Sequence, residues 1–542
     1  MTTRLRSDIR LSEARTTNNY GGRKENVALG CEPQKPALTL SDRSHVLCRT
    51  GAITLTMRRL AVVLVVAVVS LAVFVPAVSA SDEFVVRLPD AEDPDGVEDL
   101  VDHANETQTT VVADVEAEGG EVVRRFWLTN ALLVRGDDEL RDSLEKRDGL
   151  RTHDNHAFAA PAQADTEDTF SFDVKPGVKQ VNATGVWEEF GVRGDDVSVA
   201  VLDTGVNVTH PDIELRTTDP EDPHYPGGWA EFGATGERID STPYDAGKHG
   251  THVSGTVAGG NASGTWIGVA PEVELMHAKV FDSDTGSFAR MLAGIEWSVS
   301  QDAEVISLSF GMRCEGSPTY IDDMVEPIRN AHASGSLVVA ATGNEGEGCS
   351  SSPGNVYDTL SVGAVNPDGD VPSFSGGAEV ETEDAWGENA PSDWPMSYTV
   401  PDVTAPGVGV LSAVPGGGYE RMDGTSMATP HVAGVAALVE SATEDDLTPA
   451  EQRAVLMQTA TKPGGGDPDT RHGVGVIDSY AAVVAAQDGV DVPDALPTNT
   501  TETGDEESEE EASPLPGFGV FVALAAILIL SVGARDLWID AH

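Results

Sequence analysis

Between about residues 173 and 486, the sequence alternates strand-like runs of apolar, β-branched residues with helix-like segments. The strand-like runs are continuously apolar, as expected for strands that are buried on both faces of a sheet. This order of elements predicts an α/β fold with a mostly parallel, doubly wound sheet that helices cover on both sides. Functional residues of such folds lie where the strands end and the loops converge. The predicted strands are 197–202, 305–310, 337–341 and 359–365, and the predicted helices are 251–258, 287–300, 320–334 and 425–439.

A second pattern occupies residues 81–165. Its predicted elements are, in order, a strand at 83–88, a helix at 97–104, strands at 121–128 and 131–134, a helix at 138–146 and an extended piece at 150–153. This order predicts a small α+β domain ahead of the α/β segment. Residues 159–168 are rich in Ala and acidic residues and lack apolar periodicity, so we predict that they form a linker.

Residues 57–80 have the pattern of a secretory signal peptide. Arg58 and Arg59 form a basic start, residues 60–75 are nearly all apolar, and residues 78–80 offer small side chains for cleavage. We therefore expect an exported protein. A membrane anchor is the alternative, although the apolar stretch is short for spanning a bilayer.

An export signal should begin the chain, so we predict that translation starts at Met57 and that residues 1–56 result from a misplaced start. From Met57 onward the chain has 84 Asp+Glu against 25 Lys+Arg, a net charge of −59. This excess repels phosphate and argues against nucleic-acid binding. It also predicts adaptation to high salt, where screening over a few ångströms removes most self-repulsion. An ordinary acidic soluble protein is the alternative.

The C-terminal part of the chain has two segments of different character. Residues 487–516 are rich in Thr and Glu and predict an extended, solvated stalk. Residues 517–535 contain an apolar stretch that ends at Arg535 and is just long enough for a membrane-spanning helix. A buried core helix is the alternative, but a charged stalk would give it nothing to pack against.

Three segments each place one residue suited to nucleophilic catalysis beside small residues. Asp203 follows an apolar strand and precedes a Gly turn, His249 begins a helix rich in small residues, and Ser426 opens an Ala/Gly-rich helix. An Asp, a His and a Ser are the parts needed to orient a base, withdraw a proton and attack a carbonyl. Singly, each has a structural explanation as a turn residue, a buried His or a helix cap. Their joint occurrence in the order Asp, His, Ser favours catalysis.

These three motifs make residues 173–486 resemble the subtilisin-like serine proteases. The resemblance implies that Ser426 is the nucleophile, His249 the general base and Asp203 the group that holds the imidazole, with His252 a packing residue. It further implies that Asn344, in the segment Ala341-Thr342-Gly343-Asn344, donates a hydrogen bond to the oxyanion. No cofactor is then required for the chemistry.

The resemblance also suggests how a peptide binds. Ser309, Phe310 and Gly311 match an exposed strand that pairs with an extended substrate. Gly343 is expected to line the primary specificity pocket, with residues 351–354 on its far wall. No acidic residue is clearly placed at the pocket floor, so a strict preference for Lys or Arg is not indicated.

Cys314 and Cys349 are the cysteines of the exported part, where an oxidising compartment allows them to pair. Two separate thiols are the alternative. If they bond, the bridge is expected to brace two walls of the specificity pocket. Asp212 matches a carboxylate that ligates calcium in many relatives, so a structural calcium ion is a further expectation.

The resemblance extends to both ends of the precursor. Residues 81–165 resemble the subtilisin propeptide, which acts as a chaperone and inhibitor until self-cleavage; an accessory domain is the alternative. Pro516-Gly517-Phe518, with the apolar stretch behind it, resembles the sorting tail of archaeal surface proteins, whose helix a sortase-like enzyme exchanges for a lipid. A permanent membrane helix is the alternative.

The sequence therefore predicts a secreted, surface-tethered, halophilic serine endopeptidase. Its expected partners are protein or peptide substrates, the membrane and a sorting enzyme. A non-enzymatic surface protein is a second hypothesis, which the presence of all four expected catalytic residues opposes. An α/β-hydrolase esterase and a zinc protease lack support, because the sequence has no Gly-x-Ser-x-Gly around Ser426 and no His-Glu-x-x-His.

Overall fold

The computed structural model describes residues 83–159 apart from 92, 93 and 95, and also 166–167, 173–217, 227–282, 285–444 and 446–489. The predictions for the N-terminal extension, the signal peptide, nearly all of the stalk and the terminal apolar helix lie outside these residues. Within the described ranges, no helix is long and apolar enough to cross a membrane.

The strands and helices are numbered in chain order. The strands are β1 Glu83–Arg87, β2 Glu121–Phe126, β3 Ala131–Arg135, β4 Arg151–Asp154, β5 Ala157–Ala159, β6 Thr166–Glu167, β7 Ser198–Asp203, β8 Trp229–Phe232, β9 Arg238–Ile239, β10 Glu274–Lys279, β11 Thr285–Ser287, β12 Val305–Leu308, β13 Leu337–Ala341, β14 Leu360–Val365, β15 Ala378–Glu381, β16 Ser397–Val400, β17 Val403–Pro406, β18 Val410–Val414 and β19 Gly418–Met422. The helices are α1 Val97–Ala117, α2 Asp138–Glu145, α3 Pro176–Gln180, α4 Ala183–Glu189, α5 His249–Ala258, α6 Phe288–Ser300, α7 Val325–Ala333, α8 Thr382–Trp386, α9 Thr425–Ser441, α10 Pro449–Thr459 and α11 Ser479–Asp488.

The central sheet has the strand order β17-β14-β13-β12-β7-β10-β8-β9. All of its pairings are parallel except that of β9 with β8 at one edge. Alternate side chains of β7 enter two different cores, with Val199 and Val201 on one face and Ala200 and Leu202 on the other. Helices α5, α9, α10 and α11 cover the first face, and α6 and α7 cover the second. The predicted doubly wound α/β sheet is confirmed.

Three elements of the α/β unit differ from the predicted ones in their bounds or type. Ser287, predicted as the first helical residue of α6, is instead its N-cap, and its hydroxyl accepts a hydrogen bond from the Arg290 amide at 3.3 Å. The predicted helix at 320–334 is a 3₁₀ turn, Asp322–Met324, followed by α7. Strand β12 ends at Leu308 and not at Phe310.

The N-terminal unit has an antiparallel sheet of order β2-β3-β1-β4, together with α1 and α2. Its order of elements matches the predicted strand, helix, two strands, helix and strand. Helix α1 is much longer than the predicted 97–104, because its continuation also turns an apolar stripe toward the sheet. The buried residues of that continuation include Val111, Val112 and Val115. Tertiary packing therefore extends a helix whose Thr and Val residues favour helix only weakly.

The N-terminal unit packs against helices α6 and α7. Glu296 of α6 accepts hydrogen bonds from the amides of Trp127 and Leu128 at 2.6 and 3.0 Å. The Asn330 side chain of α7 donates to the Leu128 carbonyl at 2.5 Å. These contacts join the turn between β2 and β3 to the α/β unit.

Two short strands that follow the four-stranded sheet of the N-terminal unit pair with the α/β unit. Strand β5 pairs antiparallel with β11, and β6 pairs antiparallel with β19. The predicted linker at 159–168 therefore begins at the last residue of one strand and contains another. These strands have only three and two residues, so no periodicity in the sequence marks them.

Candidate active site

Three of the residues predicted from the motifs lie at the carboxyl edge of the central sheet or on a helix packed against it. Asp203 is the last residue of β7, and Asn344 follows β13 by three residues. Strand β10 pairs with one side of β7 and β12 with the other, so the chain changes its winding direction at β7. Open α/β sheets bind their ligands at such a switch point. His249 begins α5, one of the helices packed on the same sheet.

Asp203 and His249 form a buried pair. His249 Nδ1 lies 2.8 Å from Asp203 Oδ1 and 2.9 Å from Oδ2, and both side chains are 2% exposed. Burial lowers the pKa of His249, but the charge and hydrogen bond of Asp203, with a contribution from Asp245, outweigh burial and raise the pKa above its ordinary value. With Nδ1 held by the carboxylate, Nε2 is the nitrogen left for proton transfer. Nε2 has no hydrogen-bond partner among the described residues.

Ser426 lies in the first turn of α9 and is fully buried. Its hydroxyl donates to the Ser309 carbonyl at 2.9 Å, and the Ser309 hydroxyl donates to the Ser426 carbonyl at 2.9 Å. The structure therefore ties the predicted nucleophile to the predicted substrate strand.

The Asn344 side chain is anchored to the residue that precedes Ser426. Its Oδ1 accepts hydrogen bonds from the Thr425 amide at 2.8 Å and the Thr425 hydroxyl at 3.0 Å. The amide group is thereby oriented, and Nδ2 remains as a donor. Nδ2 lies 3.6 Å from the position that a Cβ atom would take on Gly424, so this donor faces the turn before Ser426.

Gly343 and Ser351, predicted for two walls of the specificity pocket, lie close together and close to Gly311 of the predicted substrate strand. Ser351 Oγ lies 3.4 Å from the position of a Cβ atom on Gly343 and 3.1 Å from that on Gly311. Gly343 has φ +107°, which a residue with a side chain rarely adopts. A carboxylate also lies here, which the motifs did not indicate: Glu345 Oε2 is 3.0 Å from the Cβ position of Gly343 and accepts a hydrogen bond from the Asn344 amide.

Phe310 lies in a small aromatic cluster. Its ring centroid is 4.8 Å from that of Phe281 and 6.1 Å from that of Phe158, which belongs to β5. Phe158 is 2% exposed and pairs with Gly286 of β11. Sequence reasoning missed Phe158, because nothing in its immediate neighbourhood shows that its partners lie more than a hundred residues away.

Cys314 and Cys349 are joined by a disulfide with a Cα–Cα distance of 5.8 Å. The bond links the segment after Gly311 to the segment after Asn344. Thr319 and Ser351 also pair between these two segments. The disulfide thus connects the two sides of the space around Ser351.

The predicted calcium ligand, Asp212, is already engaged by other groups. Its Oδ1 accepts a hydrogen bond from the Ala262 amide, and its Oδ2 accepts one from the Tyr419 hydroxyl. Ala262 supplies no side-chain oxygen. These donors do not fit a calcium ion, which prefers six to eight oxygen ligands. Calcium binding at Asp212 stays a prediction that the contacts of this carboxylate do not favour.

Two residues next to the Asp203–His249 pair, His252 and Asp245, make hydrogen bonds that hold the surrounding segments together. His252 Nε2 lies 2.9 Å from the Val410 carbonyl, and burial lowers the pKa of His252 to about 3, so it is held as a neutral packing residue. Asp245 accepts hydrogen bonds from the Thr204 hydroxyl at 2.8 Å and the Thr251 hydroxyl at 2.6 Å. It therefore connects the residue after Asp203 to the helix that carries His249. Sequence reasoning missed Asp245, which lies in a loop without a motif.

Known proteins that are similar to this chain in sequence are subtilisin-like proteases. The model of the subtilase family (Peptidase_S8) matches residues 194–475. Subtilisin E of Bacillus subtilis is 34% identical over 375 residues, which are 68% of this chain and 84% of that protein. Subtilisin of Bacillus pumilus is 37% identical over 312 residues, 56% of this chain and 97% of that protein. Alkaline elastase YaB of Bacillus sp. strain YaB is 32% identical over 410 residues, which are 75% of this chain and 92% of that protein.

The predicted enzyme class and the predicted fold are thus confirmed together. The family match covers more than half of the chain, and the alignment with subtilisin E extends beyond it through most of both proteins. This chain therefore belongs to the subtilase family and is a subtilisin-like serine endopeptidase.

Proposed function

We propose that this protein is an exported, surface-tethered endopeptidase that cleaves peptide bonds through Ser426 and is made as a self-processed precursor. The observation that carries the catalytic part is the buried hydrogen bond between Asp203 and His249. A carboxylate on Nδ1 fixes the tautomer and orientation of the imidazole, so that Nε2 faces the reaction as a base. No cofactor enters this chemistry.

In the proposed reaction, the Ser426 hydroxyl leaves the Ser309 carbonyl and donates to His249 Nε2. His249 takes the proton as Ser426 Oγ attacks the scissile carbonyl carbon, and then gives this proton to the leaving amine. The acyl-enzyme that remains is hydrolysed by water in the same two steps. Asp203 stays ionised throughout and stabilises the imidazolium.

Asn344 is the proposed donor to the oxyanion, together with the Ser426 amide. The contact between Asn344 Oδ1 and Thr425 supports this role, because it aims the amide nitrogen at the turn that carries the nucleophile. A donor that is already oriented needs no reorganisation when negative charge develops on the carbonyl oxygen. Such preorganised donors stabilise a transition state more than they stabilise the bound substrate.

The N-terminal unit is the proposed propeptide. Its last strand, β5, adds to β11 and places Phe158 against Phe310, on the strand that the resemblance gives to substrate. An extended peptide that adds to a sheet edge in this way would compete with any other extended peptide for the same surface. The unit is therefore expected to block access until it is cleaved and released.

Export and tethering rest on the sequence of the two ends of the chain. Residues 57–80 would direct secretion, and residues 517–535 would hold the precursor at the membrane until a sorting enzyme acts at the Pro-Gly-Phe motif. The acidic residues would keep the exported protein hydrated at high salt. Protein or peptide substrates are the expected partners, and nucleic acid is not.

The decisive experiment compares the wild-type chain with Ser426→Ala in several molar NaCl. We expect the wild type to hydrolyse casein and to process its own precursor, and the variant to do neither. Ser441→Ala, at the far end of the same helix α9, is the matched control and should behave as the wild type. Equal casein cleavage by wild type and Ser426→Ala would refute the mechanism.

A further inference from the structure

Two histidines of the N-terminal unit meet a carboxylate of the α/β unit. His153 belongs to β4, His156 follows that strand, and Asp323 lies in the 3₁₀ turn before α7. His153 Nδ1 is 3.0 Å and His156 Nε2 is 3.7 Å from the same oxygen, Asp323 Oδ2. The two imidazole rings are stacked, with centroids 5.4 Å apart and planes 10° from parallel. His153 Nδ1 also lies 2.8 Å from the Asp154 carbonyl oxygen, a contact that a bound ion would replace.

The spacing of these atoms fits a transition-metal ion. The three ligand atoms lie within 4.8 Å of one another. A tetrahedral zinc ion with bonds of about 2.0–2.1 Å holds its ligand atoms about 3.4 Å apart, so shifts of less than 1 Å would bring the observed 3.0 and 3.7 Å contacts to that separation. Two imidazoles and one carboxylate are also a ligand set that zinc accepts and that calcium or magnesium does not prefer.

The surroundings hold the three ligands in place and leave an entrance. His153 packs edge-on against Phe288, with centroids 5.1 Å apart, and Asp323 is 9% exposed. Arg87 Nη1 lies 4.0 Å from Asp323 Oδ1, so the arginine faces one carboxylate oxygen and the histidines the other. Asp323 can thus be a ligand through a single oxygen while it keeps its contact with Arg87. His156 is 27% exposed, which leaves the site open to the ion and to a water molecule as fourth ligand.

We propose that His153, His156 and Asp323 form a binding site for a divalent transition-metal ion such as Zn²⁺, shared between the N-terminal unit and the α/β unit. Two ligands come from one unit and the third from the other, so the complete site exists only while the units are docked. An ion that binds only the docked state favours that state in proportion to the free ion concentration divided by Kd.

A consequence for maturation follows if the N-terminal unit is the propeptide, as proposed above. The bound ion would act after the chain is cleaved, when the only remaining connections are non-covalent. At a free zinc concentration about 100 times Kd, docking would be favoured about 100-fold. Zinc is therefore expected to delay the release of the unit and the appearance of proteolytic activity.

The first test measures metal binding on the full-length Ser426→Ala precursor, which stays intact for the measurement. Titration calorimetry with ZnCl₂ after removal of metals should give one ion per chain. His156→Ala should weaken zinc binding at least 10-fold, and Asp323→Asn should do the same from the other unit. His103→Ala, which removes a histidine of α1 from outside the cluster, is the matched control and should bind as the parent. Circular dichroism in EDTA checks that each variant is folded.

Two outcomes would overturn the proposal: no zinc binding by the parent precursor, or equal binding by the parent and a folded His156→Ala. Binding of calcium or magnesium with the affinity of zinc would also contradict the ligand chemistry. This test does not use enzyme activity, so its failure is distinct from a failure of the proposed function.

The second test compares the rate of appearance of casein cleavage by the active precursor with and without zinc. Zinc should slow the parent and not His156→Ala, with mature enzyme as the control for direct inhibition. Equal slowing of both precursors would refute the role in release.

Discussion

Removing the disulfide should destabilise the α/β unit by a calculable amount. The bond between Cys314 and Cys349 closes a loop with a sequence separation of 35 residues. In the chain-entropy relation, a loop of this size restricts the unfolded chain by about 13 cal/mol/K, which is about 4 kcal/mol at 25 °C. Unfolding of roughly 300 residues carries an entropy of about 0.6 kcal/mol/K, so the loss corresponds to a decrease in Tm of about 6 °C.

The assay is denaturant and thermal unfolding of the double variant Cys314→Ser/Cys349→Ser. Both proteins carry Ser426→Ala, so that autolysis does not distort the transition. We expect a lower urea midpoint for the double variant. A reductant should lower the midpoint of the parent by a similar amount and leave the double variant unchanged, which makes it the matched control.

An unchanged midpoint and an unchanged Tm in the double variant would refute this reasoning. The loop would then contribute no restriction to the unfolded chain, and the segments that carry Cys314 and Cys349 would be held together by their backbone pairing alone. A reductant effect that is equal in parent and double variant would show that it acts elsewhere in the protein.

Three further predictions concern single residues of the α/β unit. Asn344→Ala should lower kcat by about 10²–10³, a magnitude measured on a subtilisin, with little change in KM; steady-state kinetics showing a loss below about tenfold would contradict the oxyanion role. The raised pKa of His249 predicts that kcat/KM increases with pH through a pKa above 6.5, because the neutral imidazole is the base. Asp203→Asn should shift this increase in kcat/KM to lower pH. An increase in kcat/KM centred below pH 6.5 in the wild type would contradict the prediction. Lys175 is 1% exposed, its Nζ has no hydrogen-bond partner among the described residues, and burial lowers its pKa well below the ordinary value. Between the lowered folded pKa and the ordinary unfolded pKa, the unfolded state binds the extra proton, so stability rises with pH. Lys175→Met should therefore increase the free energy of unfolding by about 1–3 kcal/mol, measured by urea denaturation, and the increase should be larger at about pH 7 than at about pH 10. An equal increase at both pH values would refute this prediction.

The sheet and the catalytic motifs can be predicted because each depends on neighbours in sequence. The apolar run of β7 indicates a buried strand. The Asp, Gly and Ser residues at the ends of strands and helices can be located because local sequence predicts the turns and helix starts that they form. The predicted bounds of strand β13 agree with the observed ones for the same reason. Asn344 can be predicted because it lies in a short segment, residues 341–344, that resembles a motif of the subtilisin-like proteases.

The contacts that the sequence does not predict depend on partners far along the chain. Phe158 lies in a strand of three residues, whose conformation is set by pairing with β11 and not by its own composition. Glu345 follows the predicted Asn344 directly, but the direction of its carboxylate toward Gly343 depends on the backbone hydrogen bond that it accepts. The predicted helix α1 is too short, because only burial of its second half against the sheet offsets the weak helix propensity of Thr and Val.

If the N-terminal unit is the propeptide proposed above, the two short strands β5 and β6 have a consequence for the timing of maturation. Each is attached to a different part of the α/β unit, β5 to β11 and β6 to β19. A bond cut anywhere between Ala159 and Thr166 therefore leaves both new chain ends held by strands of their own. Cleavage of the chain and dissociation of the N-terminal unit are then separate steps with separate rates, and the dissociation rate sets the delay between cleavage and activity. A cell could lengthen or shorten that interval without altering the catalytic residues.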